Sequence, residues 1–121
     1  MTKTKESKLE EEVERLMQKK GIWQLARYQA QSNQNGLPDR LYLYKGYLLG
    51  LELKTYEGKP TELQLKKIQE INKNGGIGLI IRNTETVEQL IKLIDFYDNS
   101  CKKYSKAIQK DMKDWMEYNE Y

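Results

Sequence analysis

Three charged residues in the middle of the chain have the types and the spacing that metal-assisted hydrolysis requires. Asp39 follows Pro38, and thirteen positions later the apolar run YLLGLELK ends in Glu52 and Lys54. Side chains alternate between the two faces of a strand, so Glu52 and Lys54 are expected on the same face. Carboxylates of this kind bind hard divalent cations, and a bound cation with a nearby amine can activate a water against a phosphodiester.

The expected roles of these groups follow from their charge. Asp39 and Glu52 would supply oxygen ligands to Mg²⁺ or Mn²⁺, and the backbone carbonyl of Leu53 could supply another. Lys54 would orient or deprotonate the attacking water, or stabilise negative charge on the phosphate. Two structural interpretations remain open: Asp39 is also a typical turn aspartate, and Glu52 and Lys54 would also suit an exposed pair at a strand end.

Gln64 has two interpretations of equal weight. Thr61-Glu62-Leu63-Gln64 fits a capping box, in which Thr61 caps a helix and Gln64 is its third residue. Gln64 also shares a helix face with Ile68 and Ile71, the face expected to pack on the sheet. From there its amide could reach the edge of the sheet that carries Glu52.

The first helix brings further carboxylates. Glu10 and Glu12 flank its apolar stripe, while Glu11 points away from it. A glutamate that borders a buried face can reach a metal at the edge of a sheet. Periodicity does not choose between Glu10 and Glu12, and a run of charge on a helix is also typical of a solvated face.

Hydrophobic periodicity predicts the elements that would position these residues. Alternating apolar positions indicate strands, apolar positions at helical spacing indicate helices, and Lys45-Gly46 is a plausible hairpin turn. The predicted order is a helix over 6–20, strands over 22–30, 40–44 and 47–54, a helix over 61–74, a strand over 77–82, a helix from about 86, and a final helix over 104–118.

Composition excludes several chemistries. The chain has 121 residues and no histidine, so a Ser-His-Asp triad, a Cys-His pair and a His-ligated zinc are all excluded. Its single cysteine, Cys101, suits a reducing cytoplasm. No apolar run approaches the about 20 residues that span a bilayer, and no secretory signal precedes the first helix, so no membrane partner is expected. The net charge of +3 is compatible with a nucleic-acid partner.

Taken in order, the motifs resemble a known nuclease superfamily. The motifs are GLPD ending at Asp39, ELK over 52–54 and GKPTELQ ending at Gln64, with an acidic helix before them. Together they are similar to the PD-(D/E)xK nucleases and, within these, to the VRR-NUC family, which is related to the archaeal-type Holliday junction resolvases and is often carried by phages. The resemblance covers about Glu6 to Ile94.

The resemblance implies a fold and a set of site residues. The implied fold is α/β, a restriction-endonuclease-like αβββαβ core over 1–96 with a central mixed sheet flanked by helices, followed by a C-terminal helical extension over 97–121. The family's first-helix glutamate, in the setting Glu-x-x-Val, corresponds to Glu10. The implied catalytic set is Asp39, Glu52, Lys54, Gln64 and Glu10, with metal ligands from Asp39, Glu52, Glu10 and the Leu53 carbonyl.

The expected function is a Mg²⁺- or Mn²⁺-dependent endodeoxyribonuclease that selects branched DNA such as junctions or flaps. Arg40 and Lys59 flank the site and are the expected phosphate contacts. The resemblance implies a homodimer, and the cytoplasm of a bacterium or a phage-infected host is the expected location. Two alternatives stay open: a catalytically inactive nucleic-acid-binding module of the same fold, and an interaction protein that binds a partner through its Tyr/Trp-rich tail, whose helix would otherwise lie in a dimer interface or fold back on the core.

Overall fold

The computed structural model describes residues 4–27, 36–98 and 101–118, which form an α/β protein with a four-stranded mixed sheet. Within these residues the elements are α1 (Lys5–Lys19), β1 (Trp23–Arg27), β2 (Arg40–Tyr44), β3 (Tyr47–Leu53), α2 (Glu62–Lys73), β4 (Ile77–Ile81), α3 (Thr84–Tyr97) and α4 (Cys101–Tyr118). The predicted order of elements is therefore confirmed. None of the described helices combines the length and apolar character needed to cross a membrane.

Several element ends differ from the predicted ones for identifiable reasons. Helix α3 begins two residues earlier than predicted, because the Asn83 side chain accepts a hydrogen bond from the Thr86 backbone N–H at 2.9 Å and caps the helix there. It ends at Tyr97, one residue beyond the predicted domain boundary. Helix α4 begins at Cys101 rather than at 104. The last three residues of the strand predicted over 22–30 lie outside the described part of the chain.

The sheet has the order β1-β2-β3-β4, with β1, β2 and β3 antiparallel and β4 parallel to β3. Lys45 and Gly46 both have positive φ, 49° and 87°, which makes the β2–β3 connection a two-residue turn whose twist matches the strands. Parallel β3 and β4 need a crossover, and α2 provides it. Strand β4 lies at one edge of the described sheet.

One face of the sheet is covered by α1 and α3. Leu49, Leu51 and Leu53 of β3 point to this face and are completely buried. They pack against apolar residues that recur at helical spacing on the two helices, namely Leu9, Val13, Met17, Val87, Leu90, Ile91 and Ile94. The hydrophobic core thus lies between β3 and the α1–α3 layer.

Helix α2 packs directly against the backbone of the other face of the sheet, because two neighbouring glycines there have no side chains. Gly50 of β3 pairs in register with Gly78 of β4. A Cβ atom on Gly78 would stand 3.0 Å from the backbone oxygen of Ile68, and one on Gly50 would stand 2.7 Å from Cδ1 of Ile71. The glycines therefore form a shallow trough in which α2 rests, with its N-terminus toward the Glu52 end of β3.

We expect Gly78→Ala to lower the free energy of unfolding by about 1–3 kcal/mol, the usual cost of overpacking. The added methyl group would press on the backbone of α2, which cannot rotate away as a side chain can. Chemical denaturation measures the effect. Gly58→Ala is the matched control, because its Cβ would make only ordinary contacts of 3.4 Å or longer. Equal destabilisation by both substitutions would contradict the close packing of α2.

Candidate functional site

Two carboxylates meet at the end of β3, on the face that carries α2. Strand β2 begins at Arg40, which pairs with Leu51, and continuing this register by one residue sets Asp39 opposite Glu52. Residues opposite each other in an antiparallel pair point to the same face. Asp39 is 6% exposed and Glu52 is 1% exposed. The two side chains that the sequence analysis placed in one site are therefore adjacent and buried.

Pro38 explains why the β2–β3 ladder stops at this point. The Lys54 N–H donates to the Ile81 carbonyl on the β4 side at 2.9 Å, so the Leu53 N–H and carbonyl face the β2 side. The residue opposite Leu53 would be Pro38, which has no N–H to donate. The Asp39 carboxylate takes the Leu53 N–H instead, at 3.1 Å from Oδ2. The Leu53 carbonyl thus faces the same side as the Asp39 carboxylate, as a ligand role requires.

The Glu52 carboxyl holds its proton unusually tightly. Burial, followed by hydrogen bonding to and repulsion from the Asp39 carboxylate, raises its pKa from 4.5 to about 8, and Lys54 opposes the shift. Among the described side chains, Glu52 Oε1 is one of the few buried oxygens without a hydrogen-bond partner. A buried polar atom without a partner costs free energy. Once Glu52 loses its proton, the pair therefore lacks a compensating positive charge.

Lys54 and Gln64 complete this cluster. Lys54 Nζ lies 3.8 Å from Glu52 Oε2, and the Gln64 side-chain amide donates to the same oxygen at 3.3 Å. Gln64 also forms the capping box, since its Oε1 accepts from the Thr61 N–H at 2.8 Å and its own N–H donates to Thr61 Oγ1 at 3.1 Å. The two interpretations of Gln64 are therefore both correct, and the cap holds the amide toward Glu52.

The loop that follows Lys54 is fixed by a residue that the sequence analysis missed. Arg82, directly after β4, donates through Nη1 to the carbonyls of Thr55 at 2.5 Å, Tyr56 at 3.3 Å and Gly58 at 2.9 Å. Gly58 in turn lies against the side-chain stem of Lys54. No periodicity or short motif joins Arg82 to this loop, so the sequence carried no signal for the contact.

Arg40 lies on the opposite face of the sheet, which corrects the prediction that it contacts phosphate. Its side chain is 2% exposed. Nε donates to Glu14 at 3.0 Å, Nη2 lies 2.9 Å from Glu14 and 3.7 Å from Glu10, and Nη1 donates to the Asp39 carbonyl at 3.2 Å. A guanidinium that is buried and paired in this way is not presented to a phosphate. Its contacts tie α1 to the backbone of Asp39.

Glu10 contacts Arg40 on the α1 side of the sheet and is near enough to Asp39 for the two carboxylates to repel each other. Burial raises its pKa, Arg40 opposes the shift, and Glu6 and Asp39 add repulsion. Glu12 instead lines a cleft with Lys8 and Thr84. In the described part of the chain no three acidic, cysteine or histidine side chains gather in one group that could hold a metal ion.

Lys59 lies in the loop before α2 and is exposed.

No protein-family model, no curated protein and no solved structure matches this chain.

We expect removal of the Arg40 guanidinium to be strongly destabilising. Arg40→Met should lower the free energy of unfolding by about 3 kcal/mol, because it leaves Glu14 and the Asp39 carbonyl without their buried donor. Arg27→Met is the matched control. Arg27 is half exposed and lies 3.5 Å from the same glutamate, so its loss should cost less than about 1 kcal/mol. Similar losses for both arginines, measured by denaturant titration, would contradict the structural role of Arg40.

Loss of the Glu52 proton should make the metal-free protein less stable as the pH rises. Because the folded-state pKa of about 8 lies above the ordinary 4.5, the folded protein binds this proton more tightly than the unfolded chain. The contribution of this proton to the free energy of unfolding is complete below about pH 4.5 and is lost as the pH rises through about 8. Glu52→Gln, measured in EDTA, should remove a few kcal/mol of this pH dependence.

The matched control for the Glu52 prediction is Glu57→Gln, at an exposed position in the following loop. It should leave the pH profile of stability unchanged. Thermal melts at pH 5, 7 and 9 compare the three proteins. The difference in melting temperature between the wild-type protein and Glu52→Gln should change with pH. A difference that is the same at all three pH values would contradict the raised pKa of Glu52.

Proposed function

We propose that this chain is a Mg²⁺- or Mn²⁺-dependent endodeoxyribonuclease of the PD-(D/E)xK type, with a restriction-endonuclease-like core. One observation carries the proposal: Asp39 and Glu52 are buried side by side with an unpaired Glu52 oxygen, next to the amine of Lys54. Buried charges of like sign are costly unless a counter-ion or a proton compensates them. Structural needs alone would favour apolar residues at these positions.

The donor set fits a hard divalent ion. Asp39 and Glu52 offer carboxylate oxygens, and the Leu53 carbonyl faces the same side, whereas the chain has no histidine to favour zinc. Carboxylate and carbonyl oxygens suit Mg²⁺ and Mn²⁺. Glu10 stands farther from this set, paired with Arg40, and would act through a water or after a side-chain movement. A bound ion would supply positive charge to the scissile phosphate and acidify a water.

The other residues have separable roles in the proposed reaction. The Leu53 N–H donates to Asp39 Oδ2 and restrains the orientation of this carboxylate. Lys54, 18% exposed, can reach both Glu52 and an incoming phosphate, where its ammonium group would stabilise developing negative charge or hold the attacking water. Gln64 restrains the Glu52 carboxylate through its amide. Each of these proposed roles belongs to a side chain that has a hydrogen bond or an ion pair within the cluster.

The proposed substrate is DNA, and branched DNA in particular. Lys59, exposed at the end of the loop that Arg82 holds against Lys54, is the proposed phosphate contact beside the site. The net charge of +3 adds a weak general attraction for a polyanion. Selection of junctions or flaps, a homodimeric state and a cytoplasmic location follow from the resemblance to VRR-NUC nucleases. They are part of the same proposal.

The central prediction is loss of cleavage with retention of fold. Asp39→Asn, Glu52→Gln and Lys54→Met should each lower the cleavage rate by at least about 10²-fold, because each removes a charge from the reacting centre. The assay uses linear, nicked, flapped and four-way DNA with Mg²⁺ or Mn²⁺. The matched exposed controls are Asp111→Asn, Glu57→Gln and Lys66→Met. A folded Asp39→Asn protein that cuts at the wild-type rate would overturn the site assignment.

The metal is tested separately from activity. Isothermal titration with Mn²⁺ should show binding that Glu52→Gln weakens by more than about tenfold, and EDTA should abolish cleavage. Ca²⁺ should bind without supporting cleavage, since it is larger and accepts looser geometry. If the wild-type protein binds DNA in a salt-sensitive manner but cuts no substrate with any of these ions, the inactive binding module is the correct function instead.

A further inference from the structure

The segment between β3 and α2 connects the two side chains that approach the same oxygen of Glu52. Lys54 begins this segment, and Gln64 lies in the first turn of the helix that follows it. Lys54 Nζ is 3.8 Å from Glu52 Oε2, and the Gln64 amide is 3.3 Å from it. The capping box holds Gln64 in this position. The position of Lys54 must depend on other contacts.

Glu52 alone does not fix the ammonium group of Lys54. The distance of 3.8 Å between Nζ and Oε2 allows electrostatic attraction, but it is too long for a hydrogen bond with a defined direction. A lysine side chain also has a long, flexible stem that can adopt many rotamers. A further contact is therefore needed if Nζ is to stay at one place beside the carboxylate pair.

The backbone of Gly58 provides a contact of this kind. A Cβ atom on Gly58 would stand 3.4 Å from Cδ and 3.6 Å from Cβ of Lys54, so the Gly58 backbone lies against the stem of the lysine. Gly58 is also the last residue of a short turn, because its N–H donates to the Thr55 carbonyl at 3.0 Å. The conformation of this turn, residues 55–58, therefore limits where the Lys54 stem can go.

Arg82 holds the 55–58 turn from the end of the neighbouring strand. Its Nη1 atom donates to the carbonyls of Thr55 and Gly58, the first and last residues of the turn, at 2.5 Å and 2.9 Å. Hydrogen bonds from a charged donor are stronger than those from a neutral one. Arg82 directly follows Ile81, whose carbonyl accepts the Lys54 N–H at 2.9 Å. The arginine and the lysine are thus tied together through the strand backbones and again through the turn.

We propose that Arg82 is a positioning residue for catalysis, which acts on Lys54 through the 55–58 turn and contacts neither the DNA nor the metal. The inference rests on the proposed function, in which the Lys54 ammonium group holds the attacking water or stabilises charge on the phosphate. Misplacement of a group at a reacting centre by about 1 Å can lower a rate by about 10²-fold. Arg82 therefore contributes to the rate of the chemical step and not to the affinity for either ligand.

Steady-state kinetics distinguish positioning from binding. Arg82→Met should lower kcat for DNA cleavage with Mn²⁺ by about 10- to 100-fold, and should leave KM for DNA and the dissociation constant for Mn²⁺ within about twofold of the wild-type values. Arg82→Lys, which keeps the charge with a shorter reach, should have an intermediate kcat. Arg15→Met, at an exposed position of α1, is the matched control and should change none of these constants. Added guanidinium at millimolar concentration should partly restore kcat to Arg82→Ala but not to Lys54→Met.

A second measurement tests the role of Arg82 without any cleavage. NMR relaxation of an isotopically labelled Lys54 side chain, in protein free of metal and DNA, reports how strongly the stem is ordered. Arg82→Met should lower the order parameters of the Lys54 stem, because the turn is no longer held against it, whereas Arg15→Met should leave them unchanged. Circular dichroism establishes that each variant is folded. If Arg82→Met does not fold, both readouts are taken on Arg82→Lys, for which smaller changes in the same direction are expected.

The outcomes separate this proposal from the proposed function. Wild-type order of the Lys54 stem in a folded Arg82 variant would overturn the positioning role, whether or not the protein cuts DNA. If the wild-type protein cuts DNA, a folded Arg82→Met protein with the wild-type kcat, or with a raised KM alone, would also overturn it and leave the nuclease assignment intact. If the wild-type protein cuts no substrate, the proposed function fails, and the relaxation of Lys54 decides whether Arg82 positions it.

Discussion

Like charges that are buried side by side repel each other, and a fold can hold them together only if other contacts force them to be neighbours. Asp39 and Glu52 are held in this way. The β2–β3 register sets them opposite each other, and the Leu53 N–H anchors one of them. Burial, together with the hydrogen bond to Asp39 and this repulsion, raises the pKa of Glu52. Strand register, the end of the ladder at Pro38 and the packing of α2 all serve to position this pair.

The close approach of α2 links the packing of the sheet to this electrostatic arrangement. Gly50 and Gly78 remove the two side chains that would keep the helix away, and Ile68 and Ile71 fill the space. The N-terminus of α2 then lies over Glu52, where the capped Gln64 donates to the carboxylate. A helix displaced outward by a single methyl group would carry this amide away from Glu52. The glycines are therefore as important for the site as for the stability of the fold.

The site was largely predictable because its residues follow local rules. Alternation along β3 places Glu52 and Lys54 on one face, and the capping box marks the start of α2. The same alternation rule should have excluded Arg40 as a phosphate contact, since it follows Asp39 in an extended chain and must point to the other face. Arg82 was not predictable, because its partners are backbone carbonyls of a distant loop. Such contacts depend on tertiary packing and leave no pattern in the sequence.

Side chains on both faces of the sheet contact the carboxylate pair or its backbone. Those on the α2 side contact the Glu52 carboxyl group, whereas Arg40 on the α1 side contacts the Asp39 backbone carbonyl. On the α2 side, the Gln64 amide and the Lys54 ammonium group approach Glu52. On the α1 side, the buried charge of Arg40 is already balanced by Glu14 and the more distant Glu10, so little of it remains to neutralise Asp39. The arginine thereby fixes the backbone of Asp39 without satisfying its carboxylate. The fold holds the pair in place with Lys54 as a nearby cationic group, and the proposed divalent ion would supply further positive charge once Glu52 is ionised.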